Sequence, residues 1–471
     1  LYLKREEVFA MIRALHFLVF LLISFVLAAA QEVQDHSQMQ HSGQNSHKPK
    51  SDQQDPSMQG MNMPEQHQSH TGMNMGEEQP STLIQEIEQH GGSGTDAEPN
   101  STLIPMLMSV KGKWMIMFHG QAFLSDIQQS GSRGADKFFS TNWVMPMAQR
   151  QFGNSTLTLR AMLSFEPGTV TRRFYPELFQ QGETAFGKPI GDGQHPHDFV
   201  MELAVLYDVR LNEKTLLSFY AAPVGDPAMG PIAYPHRASA SEDPIAPLGH
   251  HLQDSTHIAA DVLTVGLTHR TVRLEASGFH GREPDEQRWD IDSGKIDSWS
   301  GRLTVNPGQN WSAQYSFAHL TSPEALHPEE DIQRMTASVI YNRPFTNGNW
   351  ASLLLWGRNR NLPSGLVWNS YLAESTLRFK TKNYVWGRLE NVDRTNELLL
   401  ANQFEPPNFE EKIIGRIQAF TAGYDHDFDL VPHLATAIGG QITFYGVPNS
   451  LKPIYGHHPT GAVMFLRLRP Y

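Results

Sequence analysis

From Trp114 to the C-terminus the chain alternates apolar and polar residues with a period of two. In FVMELAVLYDV (199–209), Phe199, Met201, Leu203, Val205, Tyr207 and Val209 share one face, and Glu202, Ala204 and Asp208 the other. VRLEASG (272–278) sets Val272, Leu274 and Ala276 against Arg273, Glu275 and Ser277. Leu377 and Phe379 oppose Thr376 and Arg378, and Val385, Gly387 and Leu389 oppose Arg388 and Glu390. This period belongs to half-buried strands, and roughly sixteen such runs of ordinary strand length occur. Helical spacing is confined to STLIQEIEQH (81–90), which Gly91-Gly92 closes.

The connections alternate short and long. LNEK (211–214), HRT (269–271), NPGQN (306–310), KTKN (380–383) and DLVPH (429–433) are tight. Segments 166–198, 222–257, 281–297, 321–332, 393–412 and 446–460 are long. A transmembrane barrel has short turns on one rim and long loops on the other, with an even strand number. Trp143, Trp299, Trp311, Tyr341, Trp350, Tyr424 and Tyr445 fall near strand ends, where interfacial girdles lie. A soluble sandwich or propeller would also alternate, but no blade-length repeat appears. The fold class expected is therefore all-β, an antiparallel transmembrane β-barrel of about 16 strands. Its apolar face would meet lipid and its polar face would line a wet lumen.

Composition narrows the partners. The chain has 471 residues, a net charge of −12 and no cysteine. Thiolate metal sites and Cys nucleophiles are excluded, and without a basic block nucleic acid is not an expected partner. Residues 1–10 read as an upstream extension. From Met11, Arg13, an apolar run from Leu15 to Leu27 and Ala28-Ala29-Ala30 form a signal peptide over 11–30. Residues 31–80, rich in Gln, Ser, His, Met and Gly, read as a disordered Met/His-rich periplasmic tail. Residues 81–112 read as a linker with a short helix and 113–471 as the outer-membrane barrel. The location expected is the Gram-negative outer membrane, with lipid around the barrel and the tail in the periplasm.

The tail carries candidate chemistry. Met58, Met61, Met63, Met73 and Met75 sit among Gln, Asn, Gly and Pro, where nothing buries them. Thioethers prefer Cu(I), and imidazoles also take Cu(II) and Zn(II). Met-x-Met pairs on a flexible chain can turn two sulfurs to one ion. His36, Met39, His41, His67 and His70 add further donors. Multiple low-affinity sites for copper ions, Cu(I) or Cu(II), are the expectation; the alternative is an incidental Gln-rich linker.

The segments DHSQMQH (35–41) and MQGMNMPEQHQSHTGMNMG (58–76), followed by alternating strands, resemble the outer-membrane copper-resistance protein B family of Gram-negative bacteria. The resemblance implies copper handling by tail and barrel and periplasmic copper proteins as partners, a multicopper oxidase among them. The barrel also resembles uncharacterised bacterial outer-membrane proteins, which implies no function.

The barrel holds candidates of its own. In KWMIMFHGQAF (113–123), if Trp114, Ile116, Phe118 and Ala122 face lipid, Met115, Met117, His119 and Gln121 face the lumen. WVMPMAQR (143–150) offers Met145 and Met147 with open parity. Histidines gather near loops: His195 and His197 in HPHD, His236, His250, His251 and His257, His280, His327, His457 and His458. His195, His197, His250 and His251 are candidate ligands for a divalent ion, although His is also an ordinary loop residue. Glu202, Arg273, Glu275, Arg302, Arg334, Arg358, Glu374, Arg378, Arg388 and Glu390 are expected to form cross-strand pairs on the lumen wall. Neither G-x-S-x-G nor HExxH occurs, so no enzyme is expected. Two readings compete: a copper-binding resistance protein that sequesters or exports the ion, and a general porin with an incidental tail.

Overall fold

The structure, a computed structural model, describes residues 79–254, 259–400 and 403–471. The signal peptide, the tail and its candidate ligands His36, Met39, His41, Met58, Met61, Met63, His67, His70, Met73 and Met75 lie outside the described residues, as does His257.

A helix, α1 (Leu83–Gln89), precedes the strands. These are β1 (Leu107–Lys111), β2 (Trp114–Gln129), β3 (Asp136–Phe152), β4 (Ser155–Leu163), β5 (Tyr175–Thr184), β6 (Pro189–Gln194) and β7 (Val200–Asn212). There follow β8 (Thr215–Gly225), β9 (Ala259–His269), β10 (Val272–His280), β11 (Ser298–Gly308), β12 (Trp311–Leu320) and β13 (Ile332–Phe345). The last are β14 (Gly348–Asn361), β15 (Val367–Phe379), β16 (Asn383–Thr395), β17 (Ile413–Val431), β18 (Leu434–Gly446) and β19 (Thr460–Pro470).

Sixteen strands form one closed antiparallel ring, in the order β2-β3-β4-β7 and then consecutively to β19, which pairs back onto β2. Strand β1 lies beside Trp114–Phe118, the part of β2 that β19 does not reach. The β5–β6 hairpin belongs to a long connection and forms its own small sheet. It packs inside the ring, where Arg394 of β16 donates to the Phe179 carbonyl at 2.6 Å and Leu178 and Phe179 meet Val392, Ile417 and Ala419. Turns on one rim are as short as two residues. Arg270 and Asn347 take positive φ there (55° and 62°), as tight hairpin turns require. The other rim carries 164–199, 226–254, 281–297, 321–331, 396–400, 403–412 and 447–459.

Closure pairs every strand edge, and the outer face is an apolar belt that includes Leu203, Val205, Leu263, Leu267, Leu354 (63% exposed), Leu389 and Ile438. A closed ring with such a belt satisfies its backbone internally and offers hydrocarbon to lipid. The fold is a closed sixteen-strand antiparallel β-barrel with the apolar outer belt of a membrane-spanning barrel.

Five expectations need correction. Trp143 and Tyr445, read as girdle residues, face inward, Trp143 against His119 and Tyr445 against Phe179. Met201 is buried, not lipid-facing, because the β4–β7 register slips between Met162 and Leu163. Phe118 and Ala122 are buried with Val144 and Phe165 instead of exposed. Arg358 lies out of step with the buried Leu355, Gly357 and Asn359, which puts it on the outer face. The lumen is not a wet bore, because three segments fill it: 79–106, 226–254 and the β5–β6 hairpin.

Residues 79–106 run inside the ring. Arg160 of β4 donates to the carbonyls of His90 (3.2 Å), Gly92 (2.6 Å) and Gly94 (2.5 Å) while pairing with Glu202 of β7 at 2.7 Å. On the far wall, Asn306 donates to the Glu98 carbonyl (2.7 Å), Ser312 donates to that of Ala97, and Ser101 donates to that of Asn342. From the long-loop side, residues 226–254 fold inward. Arg237 joins Asp254 to Glu374 of β15, each at 2.8 Å, and Asp243 pairs with Arg388 of β16 at 2.6 Å. Glu242 meets Arg467 and Arg469 of β19. Ile232 packs against Ile340, Leu353, Leu355 and Leu372 of the wall. Two expected cross-strand pairs stand, Glu275 with Arg302 at 2.9 Å and Glu374 with Arg388 at 4.0 Å, but most of the buried wall charges also or instead meet an inserted segment.

Candidate metal sites in the lumen and beneath the outer loops

Strands β2 and β3 pair so that Met117 opposes Met147 and His119 opposes Met145. Directly opposed residues share a face, and Met147 in turn opposes Arg160, which points into the lumen. All four side chains therefore project inward. Met162 of β4 and Met201 of β7 join them, the latter through the register slip, to give one buried cluster of Met117, Met145, Met147, Met162 and Met201. Met115 of β2 and Met106 of the inserted segment pack against it.

Imidazoles close the cluster. Nε2 of His236, on the inward-folded loop, lies 3.3 Å from the sulfur of Met162. Its ring is 5.9 Å from that of His119 and 4.4 Å from that of Trp143. Nε2 of His119 is buried and has no hydrogen-bond partner among the described residues. A buried ring nitrogen in that state needs an explanation, and a bound ion is one. Soft thioethers with one or two imidazoles are the donor set that Cu(I) or Ag(I) takes.

Two cavities lead to this place. A vestibule of about 620 Å³ at the short-turn rim is lined by Gln79, Met106, Met108, Met115, Met117 and Tyr471, among others. A narrower cavity of about 140 Å³ shares Ile104, Pro105 and Arg469 with it and is lined further in by His119, Trp143 and His236. The vestibule is also where the described chain begins, at Gln79.

A second cluster lies beneath the long loops. One ring nitrogen each of His195, His250 and His251 come within 4.8 Å of one another, and all three residues are buried. Nε2 of His195 is 2.6 Å from Oε1 of Glu183 on β5, and Nδ1 of His251 is 3.9 Å from the same oxygen. Burial alone would raise the Glu183 carboxyl, but His195 and Arg288 draw it down to about 2. Burial lowers His250, and holds His251 well below the ordinary imidazole range. Both are thereby kept in the neutral form that binds metals. Gly182 takes φ of +123°, and a Cβ there would meet the His251 side chain at 3.2 Å, so only glycine brings β5 this close.

Among the predicted candidates, Met115, Met117 and His119 are thus brought together, as are His195, His250 and His251. His197 is set apart from the second group, with its Nδ1 2.9 Å from Glu166. Met162, Met201, His236, Met106 and Glu183 were not among the expected ligands. Cross-strand register and loop insertion unite them, and no local sequence pattern encodes either.

No protein family and no curated protein matches the chain. Solved porin structures show a limited likeness to it. An anion-selective porin from Comamonas acidovorans is 10% identical with a TM-score of 0.46, covering 76% of this chain and 99% of that one. OmpF of Salmonella typhi, solved with daunomycin, is 10% identical with a TM-score of 0.47 over 77% and 99%. A loop-deletion mutant of OmpT from Vibrio cholerae is 6% identical with a TM-score of 0.44 over 76% and 99%. Likeness at this level says nothing of what the lumen binds.

Proposed function

We propose that the protein receives copper ions, as Cu(I), from the periplasm and holds them in the barrel lumen. The tail would collect ions on its weak Met/His sites and deliver them at the vestibule, from which they reach Met117, Met145, Met147, Met162, His119 and His236. The observation that carries this reading is the convergence of five buried methionines and two histidines at the end of a methionine-lined cavity. In an ordinary core, Met fills gaps singly. Here the sulfurs cluster on the inner wall, beside a buried imidazole nitrogen with no hydrogen-bond partner. The ion is cargo, and no chemical step on it is needed. The resemblance to the copper-resistance protein B family points the same way and would make periplasmic copper proteins its donors or acceptors.

A porin-type solute channel is the second reading, favoured by the sixteen-strand ring and its rim asymmetry. It requires that 79–106, 226–254 and the β5–β6 hairpin leave the lumen. Planar-bilayer recording alongside Cu(I) titration separates the two. The copper reading predicts low conductance and retained Cu(I). A steady large conductance with no Cu(I) held against a chromophoric chelator would favour the porin.

A further inference from the structure

We infer that His195, His250 and His251, with Glu183 as fourth ligand, form a closed site for one borderline divalent ion of the Zn(II) or Cu(II) kind, and that this ion ties two outer loops together over the barrel mouth. The proposal stands apart from the soft-metal reading, because its donors are nitrogen and oxygen.

The donors come from separate stretches: Glu183 from β5, His195 from just beyond β6, and His250 and His251 from the turn that ends the inward-folded 226–254. Their nitrogens lie within 4.8 Å of one another. Bonds of 2.0–2.1 Å at a tetrahedral ion place ligand atoms about 3.3 Å apart, so the ion would draw the histidine nitrogens together and part Nε2 of His195 from Oε1 of Glu183, now 2.6 Å away.

The surrounding hydrogen bonds preset two of the rings. The Pro196 carbonyl lies 2.8 Å from Nδ1 of His195 and can only accept, so that nitrogen carries the hydrogen. Oε1 of Gln194 plays the same part for Nε2 of His250 at 2.9 Å. In a neutral ring this leaves Nε2 of His195 with the lone pair; Nδ1 of His250 faces the Asp254 carboxylate at 3.6 Å, and the metal would take that nitrogen in place of the proton shared with Asp254. Carbonyl partners on the outer nitrogen are what orient metal-bound histidines elsewhere. The lone pair of His195 would then face the Glu183 carboxylate at 2.6 Å, a contact that requires a positive charge between them. Either a proton or a metal ion supplies it, and only the metal also recruits His250 and His251.

The test is titration of the whole chain, folded in detergent micelles, with Co(II) alone, read by visible absorption. Four-coordinate Co(II) absorbs strongly, whereas open, water-rich sites such as tail histidines absorb weakly. The proposal predicts one equivalent of strong bands, displaced by Zn(II). His251→Gln and Glu183→Gln should weaken binding at least about tenfold, and the exposed His458→Gln should leave it unchanged. Absence of strong bands in the unaltered protein overturns the proposal, as do bands equally strong in both variants. If His251→Gln fails to fold, the unaltered chain and Glu183→Gln still decide. Met117→Leu leaves these bands in place, so failure here and failure of the copper reading are distinguishable.

Discussion

Met117 on β2 stands directly opposite Met147 on β3, both on the lumen side of the barrel wall. Two residues further along β2, His119 faces Met145 in the same way. A soft-donor pair is thus followed by a mixed pair, on the path from the vestibule towards His236.

The ring contact between Trp143 and His236 makes a local reporter. Ag(I) bound at Met162 and His236 should quench Trp143 emission. The quenched component should be missing in Trp143→Phe and much reduced in His236→Ala, with the other tryptophans unaffected. Equal quenching in all three proteins would place the ion elsewhere.

Arg160 holds the inserted segment through three carbonyls while Glu202 neutralises it. Removing one partner of a buried pair is strongly destabilising, by about 3–5 kcal/mol. Glu202→Gln should therefore loosen residues 79–106, and single-channel recordings should show frequent openings that the unaltered protein lacks. Unchanged quiet traces would mean that the segment is held by other contacts.

Opening should also depend on pH. Burial pushes the Glu86 carboxyl of α1 up to about 8, against the backbone hydrogen bond that Glu98 donates to it, and burial pushes Glu98 up to about 7. The inserted segment therefore binds protons that a released one gives up near pH 4.5. By linkage, insertion is firmest below that pH and weakens as pH rises through about 8. Open probability should be higher at pH 8 than at pH 5, and Glu86→Gln with Glu98→Gln should flatten the profile.

The belt makes its own prediction. Leu274 of β10 faces outward and its neighbour Arg273 inward, paired with Glu275 at 3.0 Å. Leu274→Arg should cost about 2–4 kcal/mol in bilayer refolding if it lies near the midplane. Leu274→Val should cost much less.

Much of the wall was legible in the sequence, because each strand with one face in lipid must alternate. Leu203, Val205, Leu274, Leu377 and Leu389 lie on the face that their alternation assigned. Met201 was misread for a physical reason: a one-residue slip against β4 reverses a side chain, and nothing in FVMELAVLYDV marks it. The insertion of 79–106 was not legible either. Its Gly, Ser, Thr and Asn residues read as a spacer until Arg160, Asn306 and Asn342 are seen to bind its backbone. The half of the lumen cluster on β2 could be read from Met115, Met117 and His119. Met162 and His236 depend on register and loop path, which are properties of the folded chain.

The most direct test of the copper reading is Cu(I) competition against a chromophoric chelator, on three proteins: the whole chain, the chain lacking 31–78, and that deletion carrying Met117→Leu, Met145→Leu, Met147→Leu and Met162→Leu. Leu for Met conserves volume, so the barrel should survive. We expect several equivalents in the first, a tightly held remainder in the second, and its loss in the third. No Cu(I) held after tail deletion, or equal retention in the Leu variant, would contradict a copper site in the lumen.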